Sequence, residues 1–379
     1  MKDEKRERLY ARYMKMFAST YEFSLCGRGE IKEVADFIDT YWKQGHALVK
    51  SKELMDWQHY DPASGTYHFA IARSRETGEI HAIEGFIPTS QFDPGITTPM
   101  TWGAIWKTRE DVAPAGLGVV VKQFREHECP SAYAMEVGIS ADASKYNKRL
   151  GNSIFELEPW YMANLTIKDY RLFVPGTGAG STAAGISQNA GRAMESNGSE
   201  LSVSPAAVGF RQVKAQDWKS LQDAFAPGAI PPFKSHTYYY NRYFAHPLYT
   251  YEALLLEDAS TDICEAVFYR VVHAEGRRGI FIVDYIGDGS LLAAAGRALA
   301  GLLSDKDAEY ILFLCSGLEE AILLSAGFRD RRKDASVVPV YYEPFLRRNV
   351  DILCTSHGER LTWPAFKGDA DQDRPSVLT

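Results

Sequence analysis

The feature that most limits what this chain can fold into lies near its middle. From Pro175 to Ala207 it reads PGTGAGSTAAGISQNAGRAMESNGSELSVSPAA, rich in Gly, Ala, Ser and Asn and almost free of large apolar side chains. Such a segment buries too little apolar surface to offset its ordering entropy, so a flexible linker is expected over 175–207. The stretches on either side must then close separate cores, and a length of 379 residues leaves enough chain for two. A glycine-rich phosphate loop is the competing reading of the same stretch, but it requires a flanking buried strand and a helix start, which the segment lacks.

With 45% hydrophobic and 24% charged residues, the chain has the make-up of an ordinary soluble globular protein. Its net charge of -7 argues against a general nucleic-acid binder, which needs a basic face to displace counterions from phosphates. The N-terminal MKDEKRERLYARYMKMF mixes both charge signs without an apolar core. It predicts a helical extension over 1–19 rather than a signal peptide or anchor, and no apolar run elsewhere reaches membrane-spanning length. Cys26, Cys129, Cys264, Cys315 and Cys354 are scattered, with no CxxC pair and no clustered histidines. A reducing cytoplasm and no metal site are therefore expected.

Periodicity and turn residues give the order of elements. Ile31 to Gln44 spaces apolar residues as a helix; Thr66 to Ser74 and Glu79 to Pro88 form a hairpin, and Thr101 to Thr108 is a third strand. A glycine-bearing loop over Asp111 to Gly118 leads into a helix at Val119 to His127. Strand Tyr133 to Ser140, helix Ala141 to Leu150 and strand Ile154 to Trp160 follow. After the linker the same order recurs with different residues, from the hairpin Tyr249–Leu256 and Ile263–Val272 to a last strand at Val337–Glu343. Two α/β (α+β) domains are predicted, over 20–174 and 208–350, each a mixed, largely antiparallel sheet flanked by helices, with a polar tail over 351–379.

The chemistry concentrates where the third strand ends at Trp106-Lys107-Thr108 and Ala113-Pro114-Ala115-Gly116-Leu117-Gly118 opens a helix. Unbonded amides at a helix N-terminus stabilise an anion, and glycine lets it come close. This loop, in this order of elements, resembles the GNAT acyltransferases, in which it receives the coenzyme A pyrophosphate. The resemblance implies acetyl-CoA or another acyl-CoA as co-substrate, with Trp106, Lys107, Gly116, Leu117, Gly118 and Val119 at the cofactor. Ala113 departs from the family, which usually has Arg or Gln there.

Ala143-Ser144-Lys145-Tyr146-Asn147-Lys148-Arg149-Leu150-Gly151 resembles the family's A-x-x-L-Y-x-K-x-G helix. That implies Tyr146 as the acid that protonates the departing thiolate, although it stands one residue further from the glycine than the family spacing. An amine acceptor must lose a proton before attack, and Glu84, on an apolar strand, is the candidate base, with Glu136 as another; a solvated sheet face is the alternative for each. For the acceptor, Asp56, Trp57, His59, Tyr60 and Asp93 lie in two stretches flanking the hairpin, read as loops, where aromatics stack on sugar rings and carboxylates pair with an amino group.

In the second half Ile286-Gly287-Asp288-Gly289-Ser290 takes the place of the glycine loop, but Asp288 would repel a pyrophosphate, so a degenerate copy is expected. The aromatic run Tyr238 to Pro247 fits either a sugar or carrier site or core packing. Asp56-Trp57, Gly85-Phe86-Ile87-Pro88 and Gly368-Asp369-Ala370-Asp371 are similar to GNAT-type proteins encoded with bacterial surface-polysaccharide genes. That implies a small-molecule amino-sugar acceptor and leaves room for a homodimer. The alternatives are a Fem-like aminoacyl transferase, which would use a tRNA-borne amino acid, and a non-catalytic binding protein with this fold.

Overall fold

The computed structural model describes residues 2–176, 208–222, 225, 231–258, 263–357 and 363–378. Beyond Gly176 the expected linker lies outside the described residues. The chain divides into two compact units, one made of Met1–Val137, Pro231–Lys234 and Arg374–Thr379, the other of Gly138–Ile230 and Ser235–Asp373. The break at Val137 falls inside the segment 20–174 that was expected to be one domain.

The first unit runs α1 (Lys2–Phe17), β1 (Tyr21–Gly27), α2 (Ile31–Phe37), α3 (Ala47–Lys50), α4 (Lys52–His59), β2 (Tyr60–Asp61), β3 (Thr66–Ser74), β4 (Ile80–Pro88), β5 (Met100–Thr108), α5 (Leu117–Glu128) and β6 (Tyr133–Val137). Its sheet has the order β1-β3-β4-β5-β6, antiparallel except for the parallel pair β5/β6. That parallel step needs a crossover, and α5 supplies it. Leu117, Val120, Val121 and Phe124 of α5 close on Ala70, Ala72 and Ala82, whose small side chains let the helix approach the sheet. β3 and β4 also carry α2 and α4, so both strands are buried almost throughout and read as apolar runs.

The second unit opens with α6 (Ala141–Arg149) and β7 (Ser153–Ala163). These were expected to complete the first domain; they belong here because β7 pairs antiparallel with β12 (Ala308–Ser316) and β13 (Ile352–Ser356). The sheet continues through β11 (Arg277–Ile286), β10 (Ile263–Ala274), β9 (Glu252–Asp258) and β8 (Val208–Val213), with β11 parallel to β12 and the remaining pairs antiparallel. Strands β8 to β12 thus repeat the pattern of β1, β3, β4, β5 and β6. Leu291, Leu292, Leu299, Leu302 and Leu303 from two short helices fill the core against Val267, Ile280, Ile282 and Phe313.

Core packing, one of the two readings of the aromatic run, is what this unit shows, whereas the tail departs from its expectation. The aromatic run is core: Tyr238, Tyr239 and Tyr243 are buried, and Tyr239 stacks on Phe268 at 4.7 Å. The expected polar tail is also interior. Lys367, Asp369, Asp371 and Asp373 are all buried, and Asp373 accepts from Arg270 Nε at 2.9 Å and Tyr251 Oη at 2.7 Å, with Lys367 at 3.5 Å. A charge is stable in a core only when it is paired, and Asp373 and Lys367 are.

Candidate functional site

Strands β5 and β6 pair only from Met100/Tyr133 to Gly103/Glu136, yet β5 runs on to Thr108. The register of β5 against β4 shifts between Gly103 and Trp106, a bulge at the point where β5 and β6 part. Beyond it, Ala104 to Thr108 present an edge with no strand partner on the β6 side among the described residues. That edge leads to the N-terminus of α5. Gly116 adopts φ 93°, the left-handed region that favours glycine, and its carbonyl accepts from Val120 N at 3.1 Å. Among the described residues, the amides of Gly116, Gly118 and Val119 have no acceptor.

Gly118 is needed for a different reason. A Cβ there would lie 2.5 Å from Thr108 Oγ1 and 3.3 Å from Trp106 Nε1, which donates to the Gly118 carbonyl at 2.8 Å. Glycine therefore lets the first turn of α5 rest on β5. Arg109 fixes the approach to the loop: it pairs with Glu79 and Asp111, both at 2.8 Å, stacks over Tyr41 at 4.5 Å, and its carbonyl accepts from Ala113 N. Lys107 pairs with Glu110 at 2.8 Å and is a quarter exposed.

Where the strands part, charged groups gather under α5. Glu136 lies opposite Gly103, where a Cβ would meet Glu136 Cγ at 2.7 Å, so the glycine lets this carboxylate lie across β5. Lys122 of α5 pairs with Glu136 and sits 5.4 Å above the Trp106 ring. One turn along, Arg125 holds Glu84 at 3.2 Å, with both side chains 2% exposed. Burial raises the Glu84 carboxyl, opposed by Arg125 and Lys122. Glu84 is thus neither on a solvated face nor open to an acceptor; α5 covers it, and its partner makes it a structural ion pair. His68 completes the row across the sheet, with its ring 5.0 Å from that of Phe86; burial pushes it down to about 4 and leaves it neutral. Sequence reasoning missed Lys122 and Arg125, although charges on an otherwise apolar stripe of α5 are a readable signal.

The stretch Met55–Asp61, read as a loop, is mostly helix. Ser51 Oγ caps α4 by accepting from Leu54 N at 3.1 Å, and Leu54, Met55, Gln58 and His59 form its buried face. This removes His59 from any acceptor site: it is fully buried, with Nδ1 bonded to Phe86 O at 3.1 Å and Nε2 to Gln58 at 2.9 Å. Asp56, Trp57 and Tyr60 remain half-exposed. Asp56 accepts from Tyr67 Oη at 2.5 Å and pairs with Lys52, while Trp57 packs on Phe92 at 4.9 Å. Gln91 ties the patch together, donating to the carbonyls of Trp57 and Tyr60. Asp93 is a turn residue that accepts from Gly95 N at 2.8 Å.

Burial also pushes His59 down to about 3 and His46 to about 2, against 6.5 for a free imidazole. The unfolded chain therefore binds protons below 6.5 that the folded chain refuses, and stability falls as pH drops. Between pH 6.5 and pH 5 each such histidine is expected to cost about 2 kcal/mol. Urea midpoints at pH 7 and pH 5 test this: His59→Gln should show a smaller acid loss than the parent, and an equal loss would contradict it.

Tyr146 lies on α6 of the second unit and is half-buried. In the second unit, the loop matching 113–118 is already filled. The buried Glu265 carboxylate accepts from Gly289 N at 3.1 Å, Leu292 N at 2.8 Å and Tyr285 Oη at 2.5 Å. Asp288, expected to be the obstacle, caps Ser290 N instead. Among the described residues there is no group of three or more His, Cys, Asp or Glu that could hold a metal, and no helix is long and apolar enough to cross a membrane.

No family model and no curated protein matches the chain. Solved structures do. A GCN5-related N-acetyltransferase from Anabaena variabilis ATCC 29413 superposes with a TM-score of 0.51 at 10% identity, covering 89% of this chain and 72% of the other. A conserved protein from Enterococcus faecalis V583, described as a probable N-acyltransferase, gives 0.50 at 12% identity with the same coverage. The chain has the GNAT fold.

Proposed function

We propose that this protein transfers an acyl group from acyl-coenzyme A to a primary amine. The observation that carries the reading is the junction of a parted strand pair with a helix N-terminus whose first amides have no acceptor. The pyrophosphate would sit on the amides of Gly116, Gly118 and Val119, with Trp106 and Lys107 beside it, and the pantetheine arm would add to the open edge of β5. Glu136, where the strands part, would take the proton that the acceptor ammonium must lose before attacking the thioester. Glu84, on β4, is held by Arg125 one turn further along α5 and has a structural part in this reading.

The acceptor surface in this reading is Asp56, Trp57 and Tyr60, with Asp93 at its margin. Half-exposed aromatics beside a carboxylate suit an amino sugar; an acetyl donor and a cytoplasmic setting belong to the same proposal. Glu265 supports one coenzyme A site per chain. The test is calorimetric titration with acetyl-CoA and free coenzyme A, followed by thiol release with a panel of amines that includes glucosamine, nucleotide-linked amino sugars and short peptides. Micromolar binding at one site per chain and acceptor-dependent thiol release are expected. A folded protein that binds neither compound would overturn the reading.

A further inference from the structure

The groups around Glu136 bear on how its carboxylate could work as a base. It stands opposite Gly103, in the last paired position before β5 and β6 part, and its side chain lies across β5 because that position lacks a Cβ. Its partner, Lys122, is 2% exposed and held between the carboxylate and the face of Trp106, the same ring that bonds to the first turn of α5. An ammonium in that position has little water to satisfy it and is stable only while the carboxylate is charged. Conversely, a carboxylate that is 12% exposed keeps its charge in such a place only with the cation beside it. The other charged groups acting on Lys122 are Arg125 and Glu126 on α5 and Glu84 on β4; Arg125 is committed to Glu84.

We propose that Lys122 is the positioning residue of the transfer reaction: it fixes the Glu136 carboxylate at the parting of the strands and keeps it ionised, ready to accept a proton from the incoming amine. Lys122 touches neither donor nor acceptor in this account and acts only through Glu136. The inference rests on the acyltransferase reading. It also explains why a lysine tolerates the apolar stripe of α5, where a leucine would pack with less desolvation cost.

The experiment is the pH dependence of kcat/KM for thiol release from acetyl-CoA, using the full chain and the best amine of the panel. In Lys122→Met the acidic limb is expected to move up by roughly one to three pH units, because the buried carboxylate loses its cation. Lys122→Arg should bring the limb most of the way back, and coenzyme A affinity should stay within about threefold in both. An unmoved limb in a Lys122→Met protein that still binds coenzyme A overturns the proposal. Should Lys122→Met fail to fold, the double variant Lys122→Met with Glu136→Gln removes both charges. It is expected to bind coenzyme A and to lack the acidic limb altogether, and a persisting limb places the base elsewhere and likewise overturns the proposal. Failure of the unaltered chain to bind coenzyme A or release thiol would instead sink the acyltransferase reading itself.

Discussion

Asp373→Ala is expected to cost about 3–5 kcal/mol of stability, as losses of one partner from a buried ion pair do. Asp373 is 2% exposed and is the anion on which Arg270 and Lys367 converge, with Tyr251 donating to the same carboxylate. Without it, two cations remain in the core of the second unit, with Arg270 still lying 3.9 Å over the Tyr249 ring. Urea unfolding followed by tryptophan fluorescence should show a lower midpoint at pH 7. The pH dependence has a definite sign. Burial alone would raise the Asp373 carboxyl, but Arg270 and then Lys367 hold it well below the usual carboxylate range. Its stabilisation is therefore complete above the unfolded value near 4 and is lost as pH falls toward the folded one. The gap between parent and variant should be constant from pH 7 to pH 5 and shrink below that. A midpoint within about 1 kcal/mol of the parent would show that the tail is not part of the core.

Gly118→Val is expected to lower coenzyme A affinity by more than about 100-fold, roughly 2.7 kcal/mol. The added side chain would begin 2.5 Å from Thr108 Oγ1, so the first turn of α5 must lift from β5 and carry its amides away from their common focus. Gly116→Ala makes the contrast. Its Cβ would meet nothing within 4 Å, and only the left-handed backbone opposes it, at about 1–2 kcal/mol, so this protein should still bind. Calorimetric titration of both variants, each melting cooperatively, separates the two roles. Parent-like affinity in Gly118→Val would exclude this turn as the anion site.

The glycine loop, the hairpin and α5 could be read in the sequence because each depends on local information: turn residues, alternation and a periodic stripe. The three strands β3, β4 and β5 were placed to within one residue of the structure. What escaped was set by long-range pairing. The membership of β7 is decided by β12 and β13, far along the chain, and no local pattern announces it. KGDADQD reads as a solvated tail until its partners Arg270, Arg242 and Tyr251 are known. His59 and Glu84 were drawn into the candidate site by residue type, whereas the faces of α4 and β4 on which they stand are buried. Glu136, named only as a second base, gains its interest from Gly103 and Lys122, which sequence separates from it by many residues.

Glu265 is, in effect, a ligand that cannot dissociate. Because its strand holds it against Gly289 and Leu292, its local concentration is fixed by the fold and owes nothing to the solution. A soluble phosphate would have to displace a tethered competitor that also satisfies Tyr285. Under the acyltransferase reading, heat-denaturation curves recorded with rising coenzyme A are therefore expected to carry the signature of a single saturable class.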